Sequence, residues 1–323
     1  MKRFCLILLA LTLLLGMTAA LWGCDGNQNP TASDNNGITI VSTNFAGFDF
    51  ARSMLTRYTE NGGTGVVQLV MLGKPGQDMH SFEPTAQDIM TLANADVIVY
   101  TGAEGWLEAA LSAAGNQSVR RVSMMEVSDT VDGDHDHDHD HDHGGDDCAL
   151  INRDEHVWLS FFNANRISFA ISRALQWVDE ENQTIWHDAF VDYANELEAL
   201  KGEYMTMMNS AVRNKVVVAD RHPFVYLFSE LGLDCVAAFP GCSSETSASF
   251  ETQAKLIEYT KKWELPYIFT MEGSDGTVAK VVAAETGAEI LTLNSLQVVT
   301  DYENTTYLKV MKSNLENLKK ALQ

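Results

Sequence analysis

Trp186, Phe190, Tyr193, Leu197, Leu200, Tyr204 and Met207 recur at alternating steps of four and three residues. That spacing lines one face of a helix, so the segment from Asn182 to Ala211 predicts a single rod about 45 Å long. A coiled coil shares the pattern, but three heptads without oligomer signals favour a helix packed along a monomer. On both sides of the rod, apolar runs rich in β-branched residues alternate with helical patterns. Ile38 to Val41, Val66 to Leu72 and Val97 to Tyr100 read as strands before it. Lys215 to Ala219, Val236 to Ala238, Tyr267 to Thr270 and Glu289 to Leu293 read as strands after it, separated by helical stretches such as Phe250 to Trp263. This rhythm builds parallel sheets. The expected fold class is α/β, with two lobes, each a small parallel β-sheet flanked by helices, joined by one long rigid helix.

Lys2 and Arg3 precede an apolar stretch from Phe4 to Leu15. At about 12 residues it is shorter than the roughly 20 that span a bilayer, and reads as an export signal. Leu21, Trp22, Gly23 and Cys24 resemble a bacterial lipobox, in which cleavage before Cys24 leaves a thiol that receives a lipid; cleavage after Ala20 of an ordinary signal is the alternative. Asp25 to Gly37, rich in Asn, Asp, Gly and Ser, suits a tether. The remaining chain of about 285 residues is long enough for two lobes with separate cores. The organisation expected is a signal peptide over 1–23, a tether over 24–37, a first lobe over 38–163, a helical segment over 164–213 and a second lobe over 214–323. The protein would sit lipid-anchored on the outer face of the bacterial cytoplasmic membrane, or in the periplasm if the lipobox is not used.

Inside the first lobe, residues 132–147 read DGDHDHDHDHDHGGDD, with His135, His137, His139, His141 and His143 alternating with aspartates. Imidazoles ligate zinc, copper and nickel, and the aspartates raise the local cation concentration, so the tract reads as a metal-collecting loop. The net charge of -22 argues against nucleic acid as a partner, because phosphate binding needs clustered Lys and Arg. Of the five cysteines, Cys5 leaves with the signal and Cys24 is the lipid site. Cys235 and Cys242 are candidates for a disulfide, although strand geometry could equally keep them apart, and Cys148, beside the tract, is a candidate soft ligand.

Open α/β sheets bind ligands beyond the carboxyl ends of their strands. Three histidines obey that rule: His80 in the loop after the second strand, before a helix capped by Thr85 and Asp88; His156 soon after the tract; and His222 after Asp220. Three imidazoles from three loops can converge on one ion. His187, beside Trp186 on the rod, reads as a solvated helix residue. An exported zinc hydrolase also uses three histidines and an open position, but the chain has no HExxH pair and no GxSxG elbow.

These residues carry a resemblance that covers nearly the whole mature chain. Gly76, Gln77, Asp78, Met79, His80, Ser81, Phe82, Glu83 and Pro84 match the first ligand loop of the cluster A-I metal-binding lipoproteins, the substrate-binding subunits of bacterial zinc or manganese ABC importers. Asp154, Glu155, His156, Val157, Trp158 and Leu159 match the family's Asp, Pro, His, any residue, Trp, Leu, apart from Glu155. The resemblance implies that His80 and His156 are metal ligands, that an ABC permease is the partner, and that the His-rich insertion places the chain nearest the zinc branch. The second lobe departs from the pattern. Arg221 stands where the family has a ligand histidine and His222 comes one residue later; a guanidinium offers no lone pair, so His222 is the expected third ligand, with Asp220 in reserve. Asn294 replaces the usual acidic fourth ligand, and Glu272 matches another acidic position of the family. An imidazole-rich site favours Zn²⁺ over Mn²⁺ as the transported ion.

Overall fold

The computed structural model describes residues 37–130, 154–243 and 248–323, apart from the side chain of His80. The export signal, Cys24, the tether, the His/Asp tract and Cys148 lie outside the described residues. Before the rod come β1 (Gly37–Ser42), α1 (Phe45–Glu60), β2 (Val66–Met71), α2 (Ala86–Ala93), β3 (Val97–Tyr100), α3 (Leu107–Ala114) and β4 (Arg120–Ser123). Two helices follow, α4 (Phe161–Val178) and α5 (Gln183–Ser210). Then come β5 (Lys215–His222), α6 (Val225–Leu231), β6 (Asp234–Pro240), α7 (Phe250–Lys262), β7 (Tyr267–Met271), α8 (Thr277–Thr286), β8 (Glu289–Leu293) and α9 (Tyr307–Leu322).

The strands form two parallel sheets, ordered β2-β1-β3-β4 and β6-β5-β7-β8. The apolar runs of the sequence mark seven of these strands. β4 is the exception: Arg-Arg-Val-Ser has no apolar run, because a sheet edge needs only Val122 and Ser123 buried while the guanidinium of Arg120 lies over the Trp177 ring.

The rod is α5, within one residue of the expected span at each end. Its buried stripe is Trp186, Ala189, Tyr193, Leu197, Leu200, Tyr204 and Met207, packed against α1, α4 and α9. Trp186 stacks on Tyr58 of α1 at 4.0 Å between centroids and donates its indole N–H to Asp179 (2.8 Å); Tyr204 donates its hydroxyl to the Met311 carbonyl (2.6 Å). Both polar tips are thereby satisfied inside the core. His187 is exposed on the opposite face.

The expectation of separate cores is corrected. One central cluster holds Ile40, Val97 and Val99 of the first sheet together with Val216, Val218 and Phe269 of the second, joined through the α5 stripe. Among the described residues, separate clusters lie on the outer faces, around Ile98 and Leu111 in one lobe and Ile268 and Val282 in the other. A rod that buries its whole apolar face makes the inner layers continuous. Asp49 adds a polar clasp: it pairs with Arg52 and accepts the Tyr307 N–H (2.6 Å) from the second lobe, while Arg52 donates to the carbonyls of Tyr302 and Thr305.

Candidate metal centre

The carboxyl ends of both sheets open on one cleft. Asn44 after β1, Thr101, Glu104 and Trp106 after β3, Asp78 and Met79 after β2, and Glu155 and Trp158 line it from the first lobe; Leu296 and Gln297 face them from the second. Asp78 also borders the continuation of the cleft along Asp220, Arg221 and Ser274. Arg221 reaches Asp78 at 3.8 Å across it.

His156 is the best-defined donor. It is fully buried, and Asp154 Oδ1 accepts both its backbone N–H and its Nδ1 at 2.9 Å. Against an acceptor-only carboxylate, Nδ1 carries the proton and Nε2 keeps the lone pair. This is the arrangement that orients metal-ligating histidines. The segment is pinned from the second lobe: Tyr226 donates its hydroxyl to the Asp154 carbonyl (2.5 Å), Trp158 donates to the Ser295 carbonyl (2.8 Å), and Glu230 accepts from Ser160 Oγ (2.8 Å) and Phe161 N–H (2.9 Å). Ser160 in turn caps α4, so the turn Val157–Leu159 sits between a cap and a clasp.

The backbone of His80 lies in the short 3-10 turn Met79–Ser81, after β2; its side chain is outside the described residues. The turn is set by Ser81, which donates N–H and Oγ to the Asp78 carbonyl (3.2 and 2.9 Å), and by Phe82, buried against Trp106. Gly76, at φ +82, donates its N–H to the Val299 carbonyl of the second lobe (2.7 Å). Thr85 and Asp88 form the anticipated capping box at the start of α2.

In the second lobe, β5 carries a bulge. Val218 pairs with Ala237 and Arg221 with Phe239, so three steps on β5 oppose two on β6. An extra residue re-aims every side chain beyond it. Arg221 is thereby turned to Asp78, while the His222 ring packs at 5.1 Å from Phe228 and 6.4 Å from Phe224. Asp220 accepts from Thr270 Oγ1 (2.6 Å) and from its neighbour's N–H. Asn294 Oδ1 accepts the Leu296 N–H (2.8 Å). Glu272 accepts Ser295 N–H (2.9 Å) and Oγ (2.6 Å), and burial pushes its carboxyl above the ordinary range although those bonds pull it down. All three brace loops at strand ends.

Among the described residues, one group of His, Cys, Asp or Glu has ligand atoms close enough to share an ion: Asp154, His156 and Cys242, all within 4.8 Å of one another. The sequence suggested Cys242 for a disulfide with Cys235, but the two are not joined. Cys235 is near the start of β6 and Cys242 lies two residues past its end, and Cys235 to Pro240 alone spans roughly 16 Å of extended chain, beyond the roughly 7 Å limit between bridged Cα atoms. The signal that was available is positional, a thiol directly past a strand's carboxyl end.

A profile of the zinc-uptake complex component A, periplasmic, matches residues 52–321. The chain belongs to this family. The high-affinity zinc uptake system protein ZnuA of Bacillus subtilis is 27% identical over 306 residues, covering 93% of this chain and 92% of that protein. The zinc-binding lipoprotein AdcA of Streptococcus pneumoniae is 26% identical over 295 residues, 88% of this chain, which spans 56% of AdcA's length. The crystal structure of the metal-dependent lipoprotein YcdH of Bacillus subtilis matches at a TM-score of 0.71 and 25% identity, covering 88% of this chain and 99% of that one. The zinc-uptake family is a transport component rather than a family of enzymes. No helix among the described residues is long and apolar enough to cross a membrane.

Proposed function

We propose that the chain is the extracytoplasmic substrate-binding lipoprotein of an ABC importer, tethered through Cys24, that captures Zn²⁺ as cargo between its lobes and delivers it as a monomer to a membrane permease. The observation that carries this reading is His156, buried at the converging strand ends with its tautomer set by Asp154. In this reading His80, whose backbone lies in the turn after β2, is the second imidazole, and the second lobe supplies the remaining donors. Neutral imidazoles suit zinc, whereas manganese prefers several carboxylate oxygens, and the carboxylates of Asp220 and Glu272 are engaged in bracing. The tract of His135, His137, His139, His141 and His143 gathers ions ahead of the cleft. Capture needs no chemistry beyond ligand exchange, and proton release accompanies it.

Competition titration of the mature protein tests this. One tightly held Zn²⁺ per chain is expected, held more firmly than Mn²⁺, with weaker ions on the tract. His156→Ala should lower affinity for the tight ion by more than the roughly 10–100-fold typical of removing a ligand's supporting partner. Unchanged tight binding in that variant would place the site elsewhere.

A further inference from the structure

We infer that the Cys242 thiolate is the second lobe's metal ligand, joining His156 across the cleft in the role that Arg221 has vacated. The inference rests on the zinc-capture reading above and names its third donor. Three observations carry it. Cys242 Sγ, an imidazole nitrogen of His156 and a carboxylate oxygen of Asp154 lie within 4.8 Å of one another, although Cys242 is 86 residues further along the chain than His156. Thiolate and imidazole are both donors typical of zinc, and Asp154 is the carboxylate that orients the imidazole.

The backbone around Cys242 is built for this approach. A Cβ on Gly241 would stand 2.9 Å from Asp154 Oδ2 and 3.1 Å from the His222 carbonyl, so only glycine lets the 241–242 segment lie against the carboxylate that orients His156. The departures from the family pattern also meet here. Glu155 replaces the proline of the motif, and its Oε1 accepts from the Cys242 thiol at 3.4 Å. Arg221, at the usual ligand position, is turned to Asp78 by the β5 bulge, and the His222 ring is packed on Phe228. On binding, the S–H bond breaks, the metal–sulfur bond forms, and the proton passes to the Glu155 carboxylate and then to solvent. Cys242 is exposed, so an incoming ion can reach its thiol from solvent.

The test is Co²⁺ titration of the full mature chain, reading the near-ultraviolet thiolate-to-cobalt charge-transfer band. The band should saturate with the tight equivalent, disappear in Cys242→Ser and persist in Cys148→Ser and Cys235→Ser. Zinc affinity should fall by more than roughly 100-fold in Cys242→Ser, beyond the loss typical of a supporting partner, and by less than about 3-fold in His222→Ala. If Cys242→Ser does not fold, iodoacetamide mapping of the wild-type chain replaces it: Zn²⁺ should protect Cys242, and equal labelling with and without zinc would overturn the inference. A tightly bound Co²⁺ without the band, a band surviving in Cys242→Ser, or loss of the tight site in His222→Ala but not in Cys242→Ser would each overturn it while leaving zinc capture standing. A wild-type chain holding no tight metal would overturn both.

Discussion

Asp154, just before the Val157–Leu159 turn of the first lobe, and Glu272, directly past β7 in the second, are both carboxylates drawn into local hydrogen bonds, yet they do opposite work. Asp154 spends an oxygen on the ring and backbone of His156, so its charge is directed at an imidazole. Glu272 spends both oxygens on Ser295, so its charge is consumed in holding the 294–297 loop. The difference teaches that residue type and position do not make a ligand: the donors placed around a carboxylate decide whether it serves an ion or the fold. Loop 294–297 is held by Glu272 whichever residue supplies the metal bond.

Three substitutions of buried carboxylates can break or sharpen that contrast. Asp154→Asn should have the largest effect on binding, lowering zinc affinity about 10–100-fold with little change in fold, because an amide can present its N–H to Nδ1 and favour the wrong tautomer. Titration alongside circular dichroism checks it, and wild-type affinity would place Asp154 with the braces. Asp49→Ala should leave affinity near wild type but cost about 2 kcal/mol of stability, since it leaves the Tyr307 N–H unsatisfied and the Arg52 guanidinium without its carboxylate between the lobes. Urea unfolding reads that loss.

Glu272→Gln should have the smallest effect: less than about a 3-fold change in zinc affinity, as expected of a group outside the ion's direct ligands. It carries a pH signature as well. Burial raises the Glu272 carboxyl in the folded chain, so its contribution to stability is fully present below the ordinary carboxylate value and is lost as pH rises through the raised folded value. The glutamine variant should lose this increment, flattening the stability profile across that window in thermal melts. A large loss of zinc binding instead would make Glu272 a ligand.

The strands at Val97–Tyr100 and Glu289–Leu293, the rod from Gln183 to Ser210 and the Thr85 cap were all legible as residues, because each rests on periodicity or spacing within one segment. The motif around His156 was legible for the same reason, with its partner Asp154 two residues away. β4 was not, since an edge strand pairs through its backbone and needs no apolar run. The fusion of the two inner cores was not either: the α5 stripe declares that it will be buried without declaring against what.

The local code of this chain therefore determined most of its elements, its two-lobed parallel α/β plan and the pairing of Asp154 with His156, because helix period, strand alternation and neighbouring side chains act over a few residues. Tertiary structure alone decided what surrounds that pair. A single extra residue in β5 turned Arg221 toward Asp78 and His222 toward Phe228, and packing brought Cys242 beside His156. A bulge is set by pairing between distant strands, and a ligand set is a convergence in space, so neither is written in the spacing of residues along the chain.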